Sequence, residues 1–87
     1  MDGEQFIGHV AAVLRIRRAR YGDAAESFAQ VARRWSMVLG TTVTPAQVAL
    51  CLIELKMARL TRDPGDLDGQ TDIAGYAACL REVTRDV

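Results

Sequence analysis

The chain has 87 residues, 11 Lys+Arg against 11 Asp+Glu, and a formal net charge of zero, so it has no global attraction to nucleic acid or anionic lipid. That length supports one modest domain, and a composition that is 49% hydrophobic and 25% charged excludes a disordered chain. No apolar run approaches the roughly 20 residues a bilayer span needs, and the opening MDGEQFIGHV has neither the basic nor the apolar region of a secretory signal.

The spacing predicts helices throughout. Phe6, Val10, Val13, Leu14, Arg17 and Tyr21 recur on one face of a first helix over about 4–20. Tyr21-Gly22-Asp23 ends it, with Gly22 suited to the left-handed closing position. Asp23 with Glu26 three residues later reads as a capping box for a second helix, 24–39, whose stripe is Phe28, Val31, Ala32, Trp35, Val38 and Leu39 before Gly40 stops it.

Thr44-Pro45-Ala46-Gln47 is another capping box, with proline at the first helical position. The third helix, 45–62, is apolar nearly all round, which predicts neighbours on every side and, in so short a chain, an inter-subunit helical interface in a homo-oligomer. Asp63-Pro64-Gly65-Asp66 forms a turn. The last helix, 68–85, turns Ile73, Tyr76, Ala77, Leu80 and Val83 inward. Four helices with short connections and no strand pattern give an all-α fold, a compact antiparallel four-helix bundle forming a single domain over 1–87.

Cys51 and Cys79 lack CxxC spacing, and with the one histidine, His9, they are too few for a structural zinc site. They read as two buried thiols in a reducing compartment.

Polar residues where the fold wants apolar ones are the functional candidates. Arg17 lies within the apolar stripe of the first helix, as a snorkelling cation or something more. Glu54 and Lys56 interrupt the third helix roughly 160° apart, whereas Lys56 and Arg59 share a face. Asp68 and Asp72 lie four apart at the start of the last helix. Asp68 is an ordinary partner of the helix dipole. Asp72 lies deeper, and two carboxylates so spaced can share a hard cation such as Mg²⁺. Beside a Lys/Arg patch, that combination suits a polyphosphate.

The ordered series Arg17-(x3)-Tyr21-Gly22-Asp23, Glu26-Ser27-Phe28, Ala32, Trp35-Ser36, Leu39-Gly40, Lys56-Met57-Ala58-Arg59-Leu60 and Asp68-(x3)-Asp72-Ile73-Ala74-Gly75-Tyr76 resembles a small phage and prophage domain family of unassigned function. That family is similar to a reduced form of the MazG-like all-α nucleoside triphosphate pyrophosphohydrolases. The resemblance implies Mg²⁺ held by E-x-x-E and E-x-x-D pairs and a metal-activated water that releases pyrophosphate. It makes Glu54, Asp68 and Asp72 the metal ligands and Glu54 and Asp72 the catalytic acids. Lys56 and Arg59 would face phosphates, and Arg17 and Tyr21 the base or ribose. The first acidic pair is incomplete, because Met57 stands three residues after Glu54. The expected location is the cytoplasm of a bacterium or of a phage-infected host.

Two readings of function follow. One is a nucleotide-binding domain, with Mg²⁺-dependent hydrolysis if the acidic site is completed. The other is a helical protein-interaction module whose charged motif residues pair internally: Lys56 and Arg59 with Asp68 and Asp72, and Arg17 behind them. Nucleic-acid binding is disfavoured, since Arg15, Arg17, Arg18 and Arg20 spread around the helix and aromatic residues are only 6% of the chain. The zero net charge is itself two opposed blocks: residues 15–34 hold six arginines against Asp23 and Glu26, and residues 63–72 hold four aspartates and no cation.

Overall fold

A computed structural model describes residues 1–85. The chain forms four helices, α1 (Gly3–Tyr21), α2 (Ala24–Leu39), α3 (Pro45–Arg62) and α4 (Leu67–Thr84), with no strand among the described residues. None of these helices is long and apolar enough to cross a membrane.

Each helix begins where a side chain can take the orphan N–H groups of its first turn. Asp2 caps α1 by accepting from the Gln5 N–H at 2.8 Å, while the Asp2 N–H donates to Gln5 Oε1 at 2.9 Å. Thr44 and Gln47 form the same reciprocal pair at the start of α3. For α2 the structure gives only half of the expected box: Asp23 accepts from Ala25 N–H at 3.3 Å, and no bond returns from Glu26. Asp66 caps α4 through the Gly69 N–H at 3.0 Å. Both of these helix ends are glycines at positive φ, where a Cβ would be strained: Gly40 (φ 68°, ψ 23°) takes the left-handed closing position, whereas Gly22 (φ 81°, ψ −160°) is in an extended conformation and not the left-handed position expected.

Ser36 fixes the connection from α2 to α3. Its hydroxyl donates to Ala32 O at 2.7 Å and accepts from the Val43 N–H at 2.8 Å. The tightest helix pair is α3 on α4, where an added Cβ on Gly69 would lie 3.0 Å from Leu60 Cδ2. That glycine sets the distance between the two helices.

The core is small. Among the described residues only Val10, Ala32, Val48 and Ala49 are buried hydrophobic side chains, while Met37, Val38, Leu39, Leu50, Leu55 and Met57 are exposed. The stripe assigned to α2 therefore stops before Val38, since Val38 and Leu39 are exposed. Ala77 is also exposed rather than inward. The outer face of α3 is uncovered in the single chain, and Cys51 on it is exposed, not buried; Cys79 is half-buried.

Candidate functional site

The first turns of α4 carry the one buried carboxylate among the described residues, Asp72, with 5% of its surface exposed. It lies between two cations from two other helices. Arg17 of α1 donates from Nη2 to Oδ1 at 2.6 Å, and Lys56 of α3 approaches Oδ2 at 2.8 Å. Each carboxylate oxygen thus has its own charged donor, the arrangement that makes a buried ion tolerable. Burial pushes the Asp72 carboxyl up, but hydrogen bonds from Lys56 and Arg17 and their charges outweigh it and hold the carboxyl below its ordinary range. The same bond raises the Arg17 guanidinium, against the opposing effect of its partial burial.

Two cations on one carboxylate leave one positive charge uncompensated. Lys56 is nearly enclosed, at 12% side-chain exposure, whereas Arg17 is at 38%. The excess is therefore presented on the Arg17 side. There α1, α2 and α4 enclose a cleft of about 490 Å³, within the size range of small-molecule sites. Arg15, Arg17 and Arg18 line it, with Tyr21, Phe28 and Tyr76 as aromatic walls and Ser27, Cys79 and Glu82 among the remaining groups. Arg18 Nη2 stands 3.5 Å from Glu82 Oε1, and Glu82 Oε2 takes Arg85 at 3.0 Å. Burial pushes the Cys79 thiol up despite the nearby Arg17, so it is a weak nucleophile there. Tyr21 stands at the exposed mouth, with the Arg20 guanidinium 5.9 Å from its ring centre.

The structure brings together Arg17, Lys56 and Asp72 from the sequence candidates. It leaves Glu54, Arg59 and Asp68 on the exposed surface, and among the described residues neither Arg59 nor Asp68 makes an ion pair. Of the expected network of Lys56 and Arg59 with Asp68 and Asp72, only Lys56 with Asp72 forms, and Arg17 takes the second oxygen of Asp72 in place of Arg59. Nor do the carboxylates fit resident Mg²⁺: Asp72 has a cation on each oxygen, and no group of three His, Cys, Asp or Glu side chains among the described residues could hold a metal. A Mg²⁺ ion needs several free oxygens, and Glu54, Asp68 and Asp72 do not supply them together.

Helical-wheel reasoning missed Arg15, Arg18, Ser27, Phe28, Cys79 and Glu82 as a set. It places the arginines of α1 at different angles, yet α2 and α4 flank α1 on two sides, and long side chains from a wide arc reach one cleft. The signal available in sequence was the density of arginine at 15–20 directly before Tyr21-Gly22.

Residues 9–84 match the family described as "Domain of unknown function (DUF6378)", and the chain belongs to that family. It is 38% identical over 68 residues to the Gene 55 protein of Mycobacterium phage L5, a match that covers 77% of this chain and 44% of the relative. The Gene 55 protein of Mycobacterium phage D29 is 33% identical over 67 residues, with the same coverages. The chain thus spans less than half the length of these relatives. No solved structure matches.

Proposed function

We propose that this member of the DUF6378 family binds a nucleotide, a phosphate-bearing ligand with a flat ring, in the cleft between α1, α2 and α4. The observation that carries the reading is the convergence of Arg15, Arg17 and Arg18 with Tyr21, Phe28 and Tyr76 around about 490 Å³. Guanidinium forks suit phosphate oxygens, and aromatic faces suit a base. The uncompensated charge of the Arg17–Asp72–Lys56 group adds to the attraction for an anion. In this reading Arg17 contacts the ligand, Tyr21 closes the mouth, and Lys56 acts through Asp72 and not on phosphate directly. Ser27 and Glu82 offer the hydrogen-bond acceptors and donor that would orient a sugar or a base edge.

The reading is of binding, not turnover. MazG-like hydrolysis with Mg²⁺ requires carboxylates free to hold the ion, and the acids suggested by the resemblance are dispersed or already paired. Calorimetric titration with ribo- and deoxyribonucleoside mono-, di- and triphosphates, with and without Mg²⁺, tests the proposal, with a pyrophosphate assay alongside. Binding that survives EDTA and is lost in Arg17→Met and Arg18→Met supports it. No heat from any nucleotide refutes it, and pyrophosphate release dependent on Mg²⁺ would restore the hydrolytic reading.

A second reading has its own support. The internal pairing of Lys56 and Arg17 with Asp72, and the exposed apolar residues of α2 and α3, suit a helical interaction module with a structural ion-pair group. In that case Arg17→Met and Tyr76→Ala change stability, and no nucleotide affinity exists to lose.

A further inference from the structure

The accessible surface of the chain is 6211 Å². A compact monomer of 9.5 kDa exposes about 5,000 Å². The radius of gyration is 13.7 Å, against about 12 Å for a compact chain of this length. The excess surface is on the order of 1,200 Å², of which the cleft walls account for only a small part. A standard protein–protein interface removes about 800 Å² from each partner. The single chain therefore exposes what one such contact would cover.

The uncovered surface has a location. Val48, Ala49, Leu52, Ile53, Lys56 and Leu60 turn one side of α3 into the molecule. The other side exposes Leu50, Cys51, Glu54, Leu55, Met57, Ala58 and Arg62, with Arg59 at its edge. The end of α2, with Met37 at 79%, Val38 at 84% and Leu39 at 64% exposure, leads into the connection to α3 and adds to the uncovered apolar area. Around α3, at 100° per residue, Ala58 lies near the middle of the exposed arc. It is also midway in sequence between Glu54 and Arg62, and Glu54 and Arg62 fall about 40° to either side of it. An antiparallel copy of α3 related by a two-fold axis at Ala58 therefore places Glu54 opposite Arg62 of the second chain, twice. The face is self-complementary in charge, as an isologous contact requires. A small residue at the crossing point permits close approach.

We propose that two copies of this chain pair through the exposed faces of their α3 helices, antiparallel and centred on Ala58. Glu54 pairs with Arg62 across the axis, and Leu50, Leu55 and Met57 lie in or beside the contact. No cleft-lining residue comes from α3, so the dimer and the nucleotide site are independent.

Light scattering on the size-exclusion peak and sedimentation equilibrium test it. Wild-type protein should give twice the 9.5 kDa chain mass. Ala58→Arg opposes two cations on the axis and should yield monomer with unchanged α-helical circular dichroism. Because Ala58 is exposed, its substitution spares the core; a shift of at least tenfold in dimer dissociation is expected. Glu54→Arg and Arg62→Glu should each weaken the dimer, and the two together in one chain should restore it. A wild-type monomer at 100 µM (a concentration on the order of that needed for a micromolar dimer) overturns the proposal, as does a dimer unaffected by Ala58→Arg. Charge swaps that fail to rescue each other overturn the register. Nucleotide titration of Ala58→Arg should match the wild type, which separates failure of the dimer from failure of the cleft.

Discussion

Asp72→Asn is the most informative single change, because it removes the only negative charge from a group holding two cations. The carboxylate side chain is 7% exposed, Lys56 12% and Arg17 38%. Asparagine can still accept from one partner, so one of two charge-assisted bonds is weakened and the other lost, each being worth roughly 1.5–3 kcal/mol. The cations, 2.6 and 2.8 Å from the two carboxylate oxygens, are then left facing each other across a gap taken as about 5–6 Å. Their repulsion is about 3 kcal/mol at an effective dielectric of 20, and solvent at the half-exposed Arg17 reduces it by about half. A net loss of about 2–4 kcal/mol follows, in line with breaking buried pairs from one side. A domain of this length has a total stability of about 4–13 kcal/mol, so the loss is a large share. Urea unfolding at pH 7, followed by circular dichroism at 222 nm and by Trp35 fluorescence, measures it. The sharper test is Asp72→Asn with Lys56→Met. The double variant has no enclosed cation, and Arg17 can turn toward water, so it should be about 1–2 kcal/mol more stable than Asp72→Asn alone. A loss under 1 kcal/mol for the single variant, or a double variant no more stable than the single, refutes the reasoning.

The pH dependence follows from the same group. The carboxyl is depressed in the folded state relative to its ordinary value of 3.8, so its contribution is complete above about pH 4 and is lost as pH falls through the lower folded value. The difference in urea midpoint between wild type and Asp72→Asn should hold from pH 7 to 5 and shrink below 4. Two glycines of α4 should respond oppositely to alanine. At Gly69 the new Cβ would meet Leu60 Cδ2 and Asp66 Oδ2 at 3.0 Å, so crowding and a disturbed cap should outweigh the helix-propensity gain and cost about 1 kcal/mol. At Gly75 the nearest atom is Arg17 Nη1 at 3.5 Å, an ordinary contact, and alanine should be neutral or stabilising by up to about 1 kcal/mol in the same urea assay. Of the two thiols, Cys51 should react with a disulfide reagent first in the monomeric Ala58→Arg variant, where the α3 face is open, and Cys79 slowly, since burial raises its thiol. Bound nucleotide should slow Cys79 further, read by mass spectrometry of the labelled peptides.

Much of the fold is legible because the helix boundaries are local chemistry. Thr44-Pro45-Ala46-Gln47 specifies its own helix start whatever packs on it, and Gly40 its own stop. Asp2-Gly3-Glu4-Gln5 is an equally good box at the start of α1, passed over when that helix is placed by its apolar stripe from Phe6. The apolar character of α3 is also plain in sequence, but not what covers it: composition demands a neighbour and cannot say whether it comes from the same chain. Side-chain partnership across helices is harder still. Asp68 and Asp72 look like a pair along one helix, yet Asp68 is exposed and Asp72 is drawn to α1 and α3. Spacing along a helix gives no information on the distance to a residue 55 positions away.

The two opposed charge blocks acquire a different meaning from this geometry. The acidic block does not simply neutralise the basic one. Asp66 is committed to the N-terminus of α4, Asp68 is exposed, and Asp72 alone of its four aspartates reaches an arginine of the basic block. Asp72 shares its charge with Lys56, a cation from outside both blocks, so it neutralises Arg17 only in part. Arg18 has a 3.5 Å contact to a Glu82 that Arg85 also claims at 3.0 Å. Among the cleft-lining residues, Arg15, Arg17 and Arg18 stand against Glu82, three cations to one anion. A neutral chain thus keeps a local surplus of two positive charges beside a cleft with aromatic walls. An anion of two negative charges balances that surplus, and a nucleotide phosphate carries about that charge near neutral pH. Affinity should accordingly fall with rising salt, and fall most for ligands stripped of phosphate.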